Sequence, residues 1–226
     1  SAEAQAVIKQ NASSGAHMQL LIASSSNHKH EEFQRIFVGS SVSLCIPTDL
    51  GAPIEVEESG TTFAQNAALK AIGYAQHYGC WAISDDSGLE IDALHGQPGI
   101  YSSRFAGADA TDDDRNEKVL RMLRNVGQAL RSARYRCAIA VADQTGAIVY
   151  TVEATVDGEI SMKPIGHRGF GYDPIFLVND RHRTMAELTN AEKDVISHRG
   201  KAARAACAHL EDIEEGISSK TPSNRS

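Results

Sequence analysis

The chain has 226 residues, of which 42% are apolar and 23% charged, and its formal net charge is −7. It is long enough to bury a sizeable core, holds no apolar run near the roughly 20 residues that span a bilayer, and is too acidic to favour non-specific binding to a nucleic-acid backbone. Cys45, Cys80, Cys137 and Cys207 lie far apart with no C-x-x-C pair, so neither a zinc knuckle nor a disulfide framework is indicated and a reduced, cytoplasmic setting is expected.

Residues 1–17 are rich in Ala, Ser and Gln and lack a basic stretch followed by an apolar one, so they read as a leader or disordered extension rather than a signal peptide. Met18 to Ala23 is a short apolar run bounded by serines, which predicts a buried strand entering a loop. A helix carrying Phe33, Ile36 and Phe37 follows and stops at Gly39; residues 42–46 then form a strand closed by Pro47. Phe63, Ala67, Ala71, Tyr74 and Tyr78 recur at helical spacing behind a Thr62-x-x-Gln65 capping box. Residues 80–84 make the next strand, and Gln97-Pro98-Gly99 has turn chemistry. Thr111-x-x-Asp114 opens a helix expected to run to about Leu130, and its acidic first turn, Asp112 to Asp114, reads as a complement to the helix dipole. Residues 134–142 and 148–156 are β-rich and flank Asp143-Gln144-Thr145-Gly146, which predicts an antiparallel hairpin. Thr189-x-x-Glu192 is another capping box, the pattern through 205–210 supports a C-terminal helix, and residues 216–226 form a polar, flexible tail. Early alternation of strands and helices followed by a hairpin predicts an α/β fold with a mixed sheet, with residues 18–215 as one domain.

The most informative pair is Asp85-Asp86 at the end of an apolar run. Two adjacent carboxylates are not expected to be buried together, because an unpaired buried charge costs several kcal/mol. They point instead to a hard cation such as Mg²⁺, which keeps several waters and shares its shell with phosphates. Glu55, Glu57 and Glu58 are either solvated or part of that shell. Ser24-Ser25-Ser26-Asn27-His28-Lys29 joins strand to helix and is either a simple cap or a phosphate site built from free N–H groups, hydroxyls and one ammonium. Lys70 is placed to reach phosphate or to pair with a carboxylate. In the segment 166–176, GHRGFGYDPIF, glycines precede aromatic residues, and Phe170 or Tyr172 offers a ring for a base. Ser197-His198-Arg199-Gly200-Lys201 after Lys193 is either a solvated basic face or an edge that reads base and phosphate oxygens. No P-loop, dinucleotide fingerprint or G-x-S-x-G elbow is present.

Taken together, SDDSGLEIDALHGQPGIYSSRFAG, GFGYDPIF, EKDVISHRGKA and EESGTTFAQNAALKA resemble the inosine triphosphate pyrophosphatase family over residues 18–212. The resemblance implies an elongated mixed sheet with two lobes around a nucleotide cleft, a homodimer, and Mg²⁺-assisted attack of water on the α-phosphorus of ITP, dITP or XTP. It makes Asp86 the general base and a metal ligand together with Glu57, with Asp85 and Glu58 as acidic neighbours. Ser24, Ser25, Ser26, Asn27, Lys29, Lys70 and Ser87 then correspond to triphosphate-binding positions. Phe170, Gly171, Tyr172, Asp173, Lys193, His198 and Arg199 correspond to nucleoside-binding ones. The chain departs from the family pattern in carrying Ser26 where the first loop usually has asparagine, with Asn27 one residue later.

Overall fold

A computed structural model describes residues 18–179 and 182–218; the expected leader and the tail from 219 onward lie outside the described residues. Seven strands form one open sheet in the order β2-β1-β3-β4-β5-β6-β7. They are β1 (Gln19–Ile22), β2 (Ser43–Cys45), β3 (Trp81–Ile91), β4 (Ser132–Ala142), β5 (Ile148–Ile160), β6 (Phe176–Val178) and β7 (Arg183–Thr184). β1 is parallel to β2 and β3, and every later pairing is antiparallel, as the late hairpin predicts. The chain leaves β1 toward β2 on one side and returns to β3 on the other. The carboxyl end of β1 is therefore a topological switch point, where open sheets leave a crevice.

The main helices are α1 (Asn27–Ile36), α2 (Pro47–Leu50), α3 (Phe63–Tyr78), α4 (Asp112–Met122), α5 (Asn190–Ile196) and α6 (His198–Ser218). Capping side chains set their starts: Ser26, Thr62, Thr111 and Thr189 each accept a backbone N–H three residues on. α3 packs on one face of β1, β3 and β4, where Ala67, Ala71 and Ala75 meet Ala138, Ala140 and Ala142. Small residues on both sides let helix and sheet approach closely. The opposite face carries Ile83, Cys137, Ile139 and Val141 against Phe33 of α1 and Ala203, Ala206 and Leu210 of α6. A third core, with Leu89, Val119, Leu123, Ile175 and Phe176, lies at the far half of the long strands. Among the described residues no helix is long and apolar enough to cross a membrane.

Several expected boundaries move. β3 does not end at Ser84 but continues to Ile91, because its pairing with β4 carries on unbroken from Ala82 to Ile91. The helix expected to reach Leu130 stops at Met122. Its end is held by Arg131, a fully buried side chain that donates to the carbonyls of Leu123, Val126 and Ser161 at 2.7–2.9 Å. The C-terminal helical segment is broken at Ser197, whose backbone is extended and whose Oγ accepts the Gly200 N–H at 3.0 Å. Only glycine fits at 200, since a Cβ there would collide with the Asp194 carbonyl oxygen. Residues 216–218, expected in the tail, belong to α6. Replacing Arg131 with Met removes three hydrogen bonds to main-chain carbonyls, and urea denaturation is expected to show a loss of about 3 kcal/mol.

Candidate active site

A cleft of about 580 Å³ opens at the switch point, floored by β3 and bounded by the β1–α1 loop, the segment before α3, the first turn of α4 and the 166–173 glycine loop. Strand periodicity decides what its floor presents. Successive side chains of β3 point to opposite faces. Ala82, Ser84 and Asp86 therefore share the α3 face, where the Ser84 hydroxyl donates to the Ala67 carbonyl. Ile83 and Asp85 face α1 and α6.

Both carboxylates are consequently buried, Asp85 at 1% exposure and Asp86 at 8%, contrary to the expectation that the pair is excluded from the interior. Counter-charges make this affordable. The Lys29 ammonium lies 3.0 Å from Asp85 Oδ1, and Arg199 Nε donates to Asp85 Oδ2 at 3.0 Å. Arg199 also donates from Nη1 to Glu32 at 2.6 Å and from Nη2 to the Ser87 hydroxyl at 2.7 Å. Glu32 accepts from Lys193 at 3.0 Å, and Lys193 reaches Asp173 at 2.6 Å. Asp85, Glu32 and Asp173 thus balance Lys29, Arg199 and Lys193 in and beneath the floor of the cleft. Burial opposes ionisation of these acids, yet Arg199 and Lys29 hold Asp85 far below the usual carboxylate range, and Arg199 and Lys193 bring Glu32 down to about 2. Burial dominates at Asp173 and raises it, while Lys193 pulls the other way.

The cleft side is not balanced. Lys70 lies 3.0 Å from Glu58 and 3.4 Å from Asp86, so one ammonium serves two carboxylates. Asp86 Oδ2 also accepts from Asn66 at 3.2 Å, and Asn66 is itself fixed by the Gly60 N–H at 2.9 Å. Burial is the main influence on Asp86 and raises its pKa, with Lys70 and Lys29 offsetting part of the effect. At Lys70 burial is outweighed by Asp86, Asp85 and Glu58, which keep the ammonium charged.

Most expected site residues come together here. Ser24, Ser25, Ser26, Lys29, Lys70, Asp86, Ser87, Phe170, Gly171, Tyr172, Asp173, Lys193, His198, Arg199 and Glu58 line the cleft. Asp85 does not; it lies under the floor. Asn27 and Glu57 are exposed and outside the lining; in the segment before α3 Glu55 and Glu58 face the cleft and Glu57 does not. Tyr172 is no free platform either: it is 4% exposed and its hydroxyl donates to the Ser102 carbonyl at 2.8 Å. His198 is buried and stacks on Tyr135 at 4.6 Å, and burial followed by the Arg199 charge keeps it neutral.

Other contributors escaped the sequence reading. Glu32 falls on the same helical stripe as Lys29 and Ile36, so a carboxylate on a buried face was the available clue. The acidic start of α4 does more than complement a dipole: Asp112 accepts the Gly171 N–H at 2.7 Å and Asn116 donates to the Gly171 carbonyl at 3.0 Å. Together they clamp the glycine loop.

A mixed open sheet with a deep, charge-lined cleft at its switch point, beside a helix N-terminus, defines an α/β protein of the ligand-binding crevice type. The Ham1 family model matches residues 20–209, and the chain belongs to that family. It is 41% identical over 199 residues to a dITP/XTP pyrophosphatase of an Exiguobacterium species, covering 88% of this chain and all of the relative. It is 44% identical to the dITP/XTP pyrophosphatase of Bacillus subtilis over 84% of this chain and 96% of that one. Among solved structures, a HAM1 protein from Coxiella burnetii superposes with a TM-score of 0.79 at 39% identity, covering 86% of this chain and 99% of that chain.

The buried network carries a pH dependence. Glu32 titrates near 2 when folded against an ordinary value of 4.5, so its contribution is complete above about pH 4.5 and is lost as pH falls toward 2. The shift corresponds to roughly 3 kcal/mol, and denaturation from pH 6 to pH 2 is expected to show a smaller loss in Glu32→Gln than in the wild type.

Proposed function

We propose that the chain is a nucleoside triphosphate pyrophosphohydrolase that removes ITP, dITP and XTP from the nucleotide pool. The support is the unbalanced Glu58–Lys70–Asp86 set at the mouth of a cleft large enough for a nucleotide, in a chain whose relatives bear the name dITP/XTP pyrophosphatase over nearly their full length.

Two carboxylates sharing one ammonium leave an excess negative charge that favours a cation. Among the described residues no group of three or more His, Cys, Asp or Glu is arranged to hold a metal, which argues against a closed protein cage. Mg²⁺ fits what is present, since it accepts one or two carboxylates and fills its shell with water and substrate phosphate. Asp86 and Glu58 would hold it. When bound, it neutralises phosphate charge and stabilises the oxygens around the reacting phosphorus.

The chain's own groups do the rest. The exposed N–H groups at the start of α1, the Ser24–Ser26 hydroxyls and Lys29 receive the phosphates. Asp86, its basicity raised by burial and its carboxylate oriented by Asn66, takes a proton from water. The water oxygen bonds to the α-phosphorus, the bond from that phosphorus to the bridging oxygen breaks, and pyrophosphate departs beside Lys70. Phe170 offers the base a ring, and donors at the His198–Arg199 edge suit a 6-oxo acceptor while finding no acceptor on the adenine amino group. The same reading carries a homodimer and a cytoplasmic setting; four free buried thiols fit the latter. Light scattering at micromolar concentration checks the dimer, and a mass near one chain contradicts it.

The direct test is product analysis with Mg²⁺ across a nucleotide panel. Pyrophosphate with IMP is expected from ITP, with dITP and XTP preferred over ATP; orthophosphate with IDP contradicts the reading. Glu58→Gln is expected to raise the Mg²⁺ concentration for half-maximal turnover at least about tenfold, and Glu57→Gln to leave it unchanged.

A further inference from the structure

We infer that His28 is a displaceable cover on the base platform, occupying the ring face of Phe170 that a purine takes. This rests on the nucleotide reading above and adds to it a residue that sets how readily a base enters.

The Phe170 ring has two kinds of neighbour. The Lys193 ammonium lies 4.6 Å from its centroid and the Arg199 guanidinium 5.5 Å, both almost fully buried and both lining the cleft with the ring. The exposed His28 imidazole, which lines the same cleft, stacks on the ring with centroids 4.9 Å apart and planes 6° from parallel. This is the arrangement an aromatic base adopts on a platform. His28 and Phe170 both line the cleft, so the face that the imidazole covers is one that a base in the cleft can use.

The two partners are held very differently. Phe170 sits in a loop whose backbone Asp112 and Asn116 grip at Gly171 and whose Phe170 N–H is bound by Asp173 at 3.0 Å. His28 stands at the second position of α1, with its side chain held by this one ring contact and no hydrogen bond among the described residues. When a base competes for the face, the imidazole is the partner that yields. A purine presents a larger ring system than imidazole, so the exchange favours substrate while retaining a cost equal to the stack it breaks. That cost acts as a fraction of closed molecules and weakens apparent affinity by the same factor.

The test is isothermal titration of the full chain with IMP, alongside the KM for ITP, in wild type, His28→Ala and His28→Phe. Loss of the imidazole is expected to tighten IMP binding and lower KM by roughly threefold to tenfold, the range of an aromatic pair. His28→Phe keeps a ring on the platform and is expected to bind IMP no more tightly than wild type. Unchanged or weaker binding in His28→Ala overturns the inference, weaker binding meaning that the imidazole sandwiches the base instead. Tighter binding in His28→Phe overturns it as well. Wild type that neither binds IMP nor cleaves ITP counts against the nucleotide reading itself, an outcome separate from an unresponsive His28→Ala.

Discussion

Three carboxylates and three cations pair off in and beneath the floor of the cleft, and the surrounding structure is organised by the need to keep them paired. Asp85 comes from β3, Glu32 and Lys29 from α1, Lys193 from α5, Arg199 from α6 and Asp173 from the end of the glycine loop. Removing one member of such a set strands its partner in low dielectric, at about 3–5 kcal/mol. Five separate segments are thereby tied to one another. The set is also what lets Arg199 present a fixed edge to the cleft while Ser87 and Asp85 occupy most of its donors.

Against that neutral base the cleft itself is left unbalanced. The two-residue period of β3 sends one aspartate down into the network and the next up toward α3, so neighbours in sequence acquire opposite electrostatic fates. Asp85 is stabilised as an anion by its cations, whereas Asp86 is raised by burial and shares Lys70 with Glu58. A carboxylate whose basicity is raised by burial, oriented by Asn66 and open to the cleft, is suited to accept a proton. A group held as a permanent anion under the floor is not.

Much of this was legible from residue pattern alone, and for identifiable reasons. Thr62, Thr111 and Thr189 mark helix starts because capping is local chemistry, and the hairpin at 143–146 is set by its turn residues. Motif spacing gathered most of the cleft correctly. What failed depends on distant partners. Burial of Asp85 follows from Lys29 and Arg199, and that of Asp86 from Lys70 and Asn66, reaching β3 from other elements, and a local reading has no access to that. That Glu58 and not Glu57 lines the cleft is not legible either, because sequence gives no phase for a loop. The early stop of α4 comes from Arg131 across a turn, and the break at Ser197 from a glycine against the Asp194 carbonyl. The grip of Asp112 and Asn116 on Gly171 spans more than fifty residues.

The division of labour between the two aspartates is tested most directly by measuring urea denaturation and pyrophosphate release from ITP in Asp85→Asn and Asp86→Asn side by side. Asp86→Asn is expected to unfold within about 1 kcal/mol of wild type while its turnover falls by roughly 10²–10⁴-fold, the range for loss of a general base. Asp85→Asn is expected to lose about 3–5 kcal/mol of stability, the consequence of leaving Arg199 and Lys29 without their buried partner. Near-normal turnover in Asp86→Asn, or wild-type stability in Asp85→Asn, contradicts the account.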